Sequence, residues 1–322
     1  MPFRVALLDD HQQVALSLTG FPGDVEAVAF ADHVADPAQL VARLRGFDAV
    51  VCMRERTPVT AEVLDALPDL RLVITTGLRN ASIDVAAAHA RGVTVCGARG
   101  PAARASTTEH TWALLLALAR NLPAQDAAIR SGGWQLGLGT VLAGSTLGLL
   151  GLGTLGAAMV PVARALGMHV TAWSPNLTAA RAAEIGVEAP DRTTFFRTAD
   201  VLSVHLVLSA RSAGAVGAAE LALMKPTALL VNTSRGPIVD EQALLDALHA
   251  GRLGGAALDV YDTEPLPADH PLRTAPRTVL APHTGYASRQ SYAEYFADVT
   301  DDVAAFRAGT PVRVIDPPEG TP

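Results

Sequence analysis

At 322 residues the chain has material for one or two domains, and a hydrophobic share of 49% with a mean hydropathy of +0.26 is ample for a buried core. A net charge of −7 without any Lys/Arg cluster argues against a nucleic-acid partner. No apolar run approaches the roughly 18 uninterrupted residues of a membrane span, and the opening Met1-Pro2-Phe3-Arg4-Val5 lacks the three zones of a secretory signal, so a cytoplasmic protein without a membrane partner is expected.

Residues 1 to about 100 alternate strand and helix patterns. Strands are predicted at Val5–Asp9, Val25–Phe30, Ala49–Met53, Leu70–Thr75 and Val93–Cys96, with helices at Pro37–Leu44, Thr60–Ala66 and Ser82–Arg91. This order implies a parallel, doubly wound sheet, which binds ligands beyond the carboxyl ends of its strands. Two loops fall there. Arg54-Glu55-Arg56-Thr57-Pro58 reads either as a solvated charged turn or as an anion contact. In Thr75 to Asn80, Gly77 is either an ordinary turn glycine or brings backbone N–H groups against an anion.

Cys52 and Cys96 both lie in apolar runs. Two cysteines give neither a metal spacing nor a disulfide framework, so they read as small buried hydrophobes in a reducing compartment, and no metal site is expected. Gly97 to Arg104, with Gly100-Pro101, reads as a linker. A long helix is predicted from Ser106 to Arg120, capped by Ser106 or Thr107. It is apolar nearly all round and should be buried in a core or against another subunit. Asn121 to Gly144, with Gly132-Gly133-Trp134, reads as a long irregular segment.

Ser145 to Leu150 is a short apolar run of the kind buried on both faces of a sheet. Gly151-Leu152-Gly153-Thr154-Leu155-Gly156 follows at once, then a helix from Ala157 to Leu166 and a strand at His169–Trp173. Strand, glycine turn, helix and strand form the context in which G-x-G-x-x-G signals dinucleotide binding. Gly151 permits the tight turn, Gly153 lets a pyrophosphate approach the backbone, and Gly156 lets the helix pack on the sheet. The helix start offers N–H groups and its positive dipole end. An NAD site ordinarily carries an acid at the end of the second strand to hold the ribose. Here Trp173-Ser174-Pro175-Asn176 has none. Either Ser174 or Asn176 bonds the ribose of NAD, or the site takes NADP, with Arg181 within reach in sequence.

Further strands are predicted at Val201–Leu208, Ala228–Asn232, Gly254–Val260 and Thr278–Pro282, with helices at Ala218–Met224, from Asp240 to Ala250, and from Ser288 to Arg307 before a proline-rich tail. Three ionisable residues stand just past strand ends: Arg235, Glu264 and His283. Arginine offers a planar fork for a carboxylate or carbonyl. Histidine can move a proton near neutral pH, and a carboxylate beside it favours the imidazolium. Beside a hydride carrier this set suits hydride transfer to a 2-keto carbon with a proton to its oxygen. Taken singly, each residue is as readily a surface ion pair, a loop histidine or a solvated turn.

The chain resembles the D-isomer-specific 2-hydroxyacid dehydrogenases, a family that includes phosphoglycerate dehydrogenases and glyoxylate/hydroxypyruvate reductases. The matching stretches are Gly151 to Gly156, Asn232-Thr233-Ser234-Arg235-Gly236, Leu258 to Pro265 and Ala281-Pro282-His283-Thr284-Gly285, in the family's order; Gly77 to Asp84 and Thr107-Thr108-Glu109-His110 also look like family segments. The resemblance implies an α/β fold of two doubly wound parallel-sheet domains with a cleft between them. A flavodoxin-like catalytic domain would comprise residues 1–101 and 288–322, and a Rossmann NAD(P)-binding domain residues 102–287.

It further implies NAD(P)-dependent interconversion of a small 2-keto acid and a D-2-hydroxy acid. Arg235 would orient substrate, His283 would be the general acid/base and Glu264 its partner. Cofactor contacts would come from Gly151, Gly153, Leu155, Gly156, Ser174, His205, Thr233, Asp259 and Gly285. Asp259 and the Thr233 backbone would hold the carboxamide, and the proline usual beside His205 is replaced by Val207. Substrate contacts would come from Arg54, Gly77 and Leu78. A homodimer through the Ser106–Arg120 helix is implied too. No appended regulatory domain is expected, and Glu264 stands where the related formate dehydrogenases carry Gln, which argues against formate oxidation. A dinucleotide-sensing corepressor on the same fold is the alternative reading.

Overall fold

The computed structural model describes residues 2–317; the last five residues of the proline-rich tail lie outside the described residues. The chain divides into two compact units, one formed by residues up to Ala103 with those from Ala287 onward, the other by Arg104–Tyr286.

Among the described residues the first unit holds five strands: β1 (Phe3–Leu7), β2 (Val25–Ala29), β3 (Ala49–Cys52), β4 (Leu72–Thr76) and β5 (Thr94–Ala98). All pairings are parallel, in the order β2-β1-β3-β4-β5. β3 and β4 are buried along their whole length, which is why they read as continuous apolar runs. Ala6, Val50, Cys52, Val73 and Val95 pack with Leu40 and Leu44 of the helix Pro37–Leu44 and with Val63 and Leu64 of the next helix. The helix Arg289–Arg307, capped by Ser288, packs beside β4 and β5. The strand order reverses between β1 and β3, which opens a switch point there.

The second unit has six parallel strands: β6 (Thr146–Leu150), β7 (His169–Trp173), β8 (Val201–Val204), β9 (Leu229–Asn232), β10 (Gly255–Leu258) and β11 (Thr278–Leu280), in the order β11-β10-β9-β8-β6-β7. Alternate residues feed two cores. Leu150, Leu202, Leu230 and Ala256 join Phe195, Phe196 and Leu244, whereas Leu147, Leu149, Val231 and Ala257 join Trp112, Leu115 and Met159. Both faces are therefore covered, as a parallel sheet requires. This switch point lies between β6 and β8, at the glycine turn.

Three local expectations are corrected. The long helix begins at Pro101, not Ser106, and ends at Ala119, because Pro101 suits a first helical position. Ser106 and Thr107, taken for caps, lie inside the helix, where Ser106 Oγ donates to Gly285 O at 2.8 Å; the neighbouring Thr108 and Thr111 bond back one turn, to Arg104 O at 2.9 Å and Thr107 O at 2.8 Å. The linker shrinks accordingly to the two residues between β5 and that helix. Part of the supposedly irregular segment is a helix, Leu122–Arg130, entered through Asn121 in the left-handed conformation. Finally, the helix after the glycine turn starts at Thr154 rather than Ala157, with Gly153 at its N-cap.

Candidate functional site

The glycine turn is built by close backbone approach. Gly151 has φ +106°, and a Cβ there would stand 2.7 Å from His205 O. A Cβ on Gly156 would strike the carbonyl oxygen of Gly151. Gly153 is different: nothing lies within 4 Å of where its Cβ would be, and it supplies no side-chain cap to the helix Thr154–Ala165. The first-turn N–H groups, Leu155 among them, have no intrahelical acceptor and carry the positive end of the dipole. That open cradle fits the pyrophosphate of a dinucleotide.

Around the cradle, Ser174 is half-buried just past β7, with no acid from 174 to 176. Arg181 pairs with Glu184 at 2.8 Å. Arg192 instead lies over the Trp173 ring at 5.5 Å and pairs with Glu220 at 2.9 Å. His205 bonds Ser203 Oγ through Nε2 at 2.8 Å, whereas its Nδ1 is enclosed without a partner. Burial holds its imidazole down at about 4, so the ring is neutral at ordinary pH.

β9, β10 and β11 are neighbours, and their carboxyl ends deliver Arg235, Glu264 and His283 in turn. His283 Nδ1 meets Glu264 Oε2 at 2.5 Å. The other Glu264 oxygen accepts the Tyr261 N–H at 3.0 Å, so the carboxylate is aimed by backbone. The loop of Arg235 is knotted by Asn232, whose side chain donates to Arg235 O at 2.9 Å and accepts from Ser234 N at 3.0 Å. Gly236 abuts the Tyr261 carbonyl too closely for any side chain, which ties this loop to the Glu264 loop. The Arg235 guanidinium donates to Ser234 O at 2.6 Å.

Asp259, 1% exposed, accepts Thr284 N and Gly285 N, both at 2.8 Å, and meets His110 Nε2 at 3.1 Å. Ser106 Oγ donates to Gly285 O at 2.8 Å, and Thr111 Oγ1 bonds Thr233 Oγ1 at 2.8 Å. One helix thus grips the loops after β9 and β11 as well as Asp259. His110 had no role assigned from sequence, since its partner is 149 positions away.

Arg54, Gly77 and Leu78 lie in the first unit. Arg54 has φ +54°, bonds Thr76 Oγ1 through its backbone N–H at 3.0 Å and lays its guanidinium against Thr76 O at 3.2 Å, over Gly77. Asn80 secures the pair of loops by donating to Arg54 O at 2.6 Å. The Leu78 side chain is 57% exposed. A cluster missed from sequence stands beside them. Asp9, 1% exposed, meets His33 Nδ1 at 2.8 Å, accepts Thr57 Oγ1 at 2.6 Å, and offers its carbonyl to Arg56 at 3.3 Å. The available signal was an acid at the end of an apolar strand. Among the described residues no group of three or more His, Cys, Asp or Glu could hold a metal, and no helix is long and apolar enough to cross a membrane.

Residues 112–285 match the family model for the D-isomer specific 2-hydroxyacid dehydrogenase, NAD binding domain. The chain belongs to the D-isomer specific 2-hydroxyacid dehydrogenase family. It is 37% identical over 312 residues to the D-3-phosphoglycerate dehydrogenase of Mycobacterium tuberculosis strain H37Rv, covering 96% of this chain and 58% of that protein. It is 35% identical over 276 residues to the glyoxylate reductase of Korarchaeum cryptofilum, covering 84% and 82%. The chain spans little more than half the length of the phosphoglycerate dehydrogenases it matches. Among solved structures, a phosphoglycerate oxidoreductase from Vibrio cholerae superposes with a TM-score of 0.90 at 37% identity, covering 95% of this chain and 99% of that one. An NADPH-dependent glyoxylate/hydroxypyruvate reductase from Sinorhizobium meliloti, in complex with NADP and malonate, gives 0.77 at 27% identity, covering 98% and 96%.

Proposed function

We propose that this family member is an NAD(P)-dependent 2-hydroxyacid dehydrogenase that reversibly reduces a small 2-keto acid to the D-2-hydroxy acid. The observation that carries the reading is the 2.5 Å His283–Glu264 contact on strand ends adjacent to Arg235. A nicotinamide cofactor, when bound, supplies or accepts the hydride. The Arg235 fork orients the substrate carboxylate and polarises the carbonyl. Glu264 accepts from Nδ1–H and so commits the exchangeable proton of His283 to Nε2, which gives it to the carbonyl oxygen in reduction and takes it from the hydroxyl in oxidation.

The turn Gly151, Gly153, Leu155 and Gly156 would hold the pyrophosphate, Ser174 the adenosine ribose and the Thr233 backbone the carboxamide. Gly285 would contribute only through Cα, because its N–H and carbonyl are already engaged. The second unit is then the cofactor domain. Arg54 and the Gly77-Leu78 backbone would be substrate contacts. A homodimer is part of this reading. Exposed apolar side chains gather between 116 and 141, including Trp134 at 73% and Leu138 at 100%, and a second copy would cover them. A reducing, cytoplasmic setting is part of this reading, since both cysteines are free and buried.

The test is a 340 nm assay of NADH and NADPH against glyoxylate, hydroxypyruvate, its 3-phosphate, pyruvate and bulkier keto acids. Turnover of at least one is expected. Nucleotide binding with no turnover of any would overturn the dehydrogenase reading in favour of a dinucleotide sensor.

A further inference from the structure

We infer that His110, acting through Asp259, is a positioning residue that holds His283 in its working conformation. This rests on the reading of His283 as the proton carrier. His283 has φ +54°, a strained region for a non-glycine residue that persists only where its surroundings enforce it. The enforcing groups are on either side of the loop. The next two N–H groups, Thr284 and Gly285, both converge on the Asp259 carboxylate, while Ser106 holds the Gly285 carbonyl. A side chain at Gly285 would begin 3.0 Å from Asp259 Oδ2, so the carboxylate sits directly against the backbone it grips.

A buried carboxylate takes its orientation from its donors. Two of the three donors on Asp259 belong to the loop being positioned. The third, His110 Nε2, comes from the helix Pro101–Ala119, which also carries Ser106 and Thr111. Among the described residues only His110 ties the carboxylate to an element outside that loop. It donates from Nε2–H whether the ring is neutral or protonated. Without it the carboxylate is free to turn, His283 relaxes towards an ordinary φ, and Nδ1 draws away from Glu264. With about four lone-pair sites on a carboxylate, the three donors leave Asp259 at most one for a ligand.

The experiment compares wild type, His110→Phe and His110→Gln in the full chain. Glutamine sets an N–H near the Nε2 position, whereas phenylalanine keeps the bulk and removes the donor. Two quantities are read: hydrogen exchange at the Thr284 and Gly285 amides, and steady-state reduction of a keto acid that the wild type accepts. In His110→Phe the amides should exchange about tenfold faster. Its kcat should fall about tenfold with KM and nucleotide Kd within about twofold, and His110→Gln should restore both. Unchanged exchange, unchanged kcat, or no rescue by glutamine would overturn the proposal. Should the phenylalanine variant not fold, His110→Leu, which likewise lacks a donor, gives the same two readouts. If the wild type reduces no keto acid, the functional reading fails. The exchange comparison still decides the clamp: faster exchange supports it and equal exchange overturns it.

Discussion

The two units share a strand arrangement and differ in how the chain leaves its first strand. In each, the first strand pairs with the next strand on one side and the third on the other, so each has a switch point at the end of its first strand. In the second unit the chain leaves β6 through three glycines, and the following helix starts at Gly153 with no side-chain cap. In the first unit the chain leaves β1 through Asp9 and Asp10. The Asp10 carboxylate accepts Val14 N at 3.1 Å and Ala15 N at 3.0 Å, so the protein's own anion already occupies the start of the helix Ala15–Leu18. Asp9 is sealed by His33 and Thr57. Topology alone therefore does not make a dinucleotide site. What matters is whether the first helix's N–H groups are left for a ligand or consumed by a neighbouring carboxylate.

The most direct way to break this contrast is to give the second unit the first unit's device. Gly153→Asp has room for its side chain and an ordinary backbone, so the fold should persist and the helix should gain a cap. The carboxylate would compete with and repel the pyrophosphate, and dinucleotide affinity should fall on the order of 100-fold or more. Titration of the nucleotide by calorimetry checks it; retained affinity would mean that the phosphates bind elsewhere. The converse change is Asp9→Ala, which strands the Thr57 hydroxyl and the His33 imidazole in a buried place. The first unit should lose about 2–3 kcal/mol of stability, with nucleotide affinity unaltered, as read by thermal denaturation and the same titration. Full stability with lost keto-acid turnover would instead make Asp9 part of a ligand site.

This contrast also explains what could be read from the chain alone. The glycine turn was legible because backbone crowding at Gly151 and Gly156 excludes every other residue type, and the parallel strands because burial on both faces leaves an uninterrupted apolar run. The Asp9–His33–Thr57 cluster was not legible. Its members are 24 and 48 positions apart, and nothing local marks them as partners. The contact between His110 and Asp259, 149 positions apart, was hidden in the same way. The start of the helix at Pro101 was misplaced because Ser106 and Thr107 have the chemistry of caps, and local propensity cannot tell a cap from an interior hydroxyl bonded to a loop or to a carbonyl one turn back.

The histidines of the two units sharpen the comparison further. His33 rests on a carboxylate; His205 bonds a hydroxyl, and its Nδ1 is enclosed. Burial lowers His205 to about 4, below the unfolded value near 6.5, so the unfolded chain binds the extra proton first as pH falls. Its contribution is therefore complete above about pH 6.5 and lost between about pH 6.5 and 4, amounting to about 3 kcal/mol. Denaturant midpoints measured across that range should decline in the wild type and decline less in His205→Asn. Equal slopes would mean that His205 titrates normally.

The smallest effect expected is at the second strand of the nucleotide unit. β7 ends at Trp173 followed by Ser174, so no fixed charge distinguishes a ribose 2′-hydroxyl from a 2′-phosphate. The nearby arginines do not supply one unaided. Arg192 is committed to Glu220 and the Trp173 ring, whereas Arg181 is held only by an exposed pair with Glu184, an interaction worth about 0–1 kcal/mol and readily exchanged for a phosphate. Ser174→Asp should therefore shift the ratio of kcat/KM for NADH over NADPH upward by about tenfold, through repulsion of the 2′-phosphate and a new acceptor for the ribose hydroxyls. Most of the change should fall on KM for NADPH, since the chemistry at His283 is untouched. A ratio that stays put would place the adenosine ribose away from Ser174, and the open turn at Gly153 would then be the only part of the second unit's switch point that reads the dinucleotide.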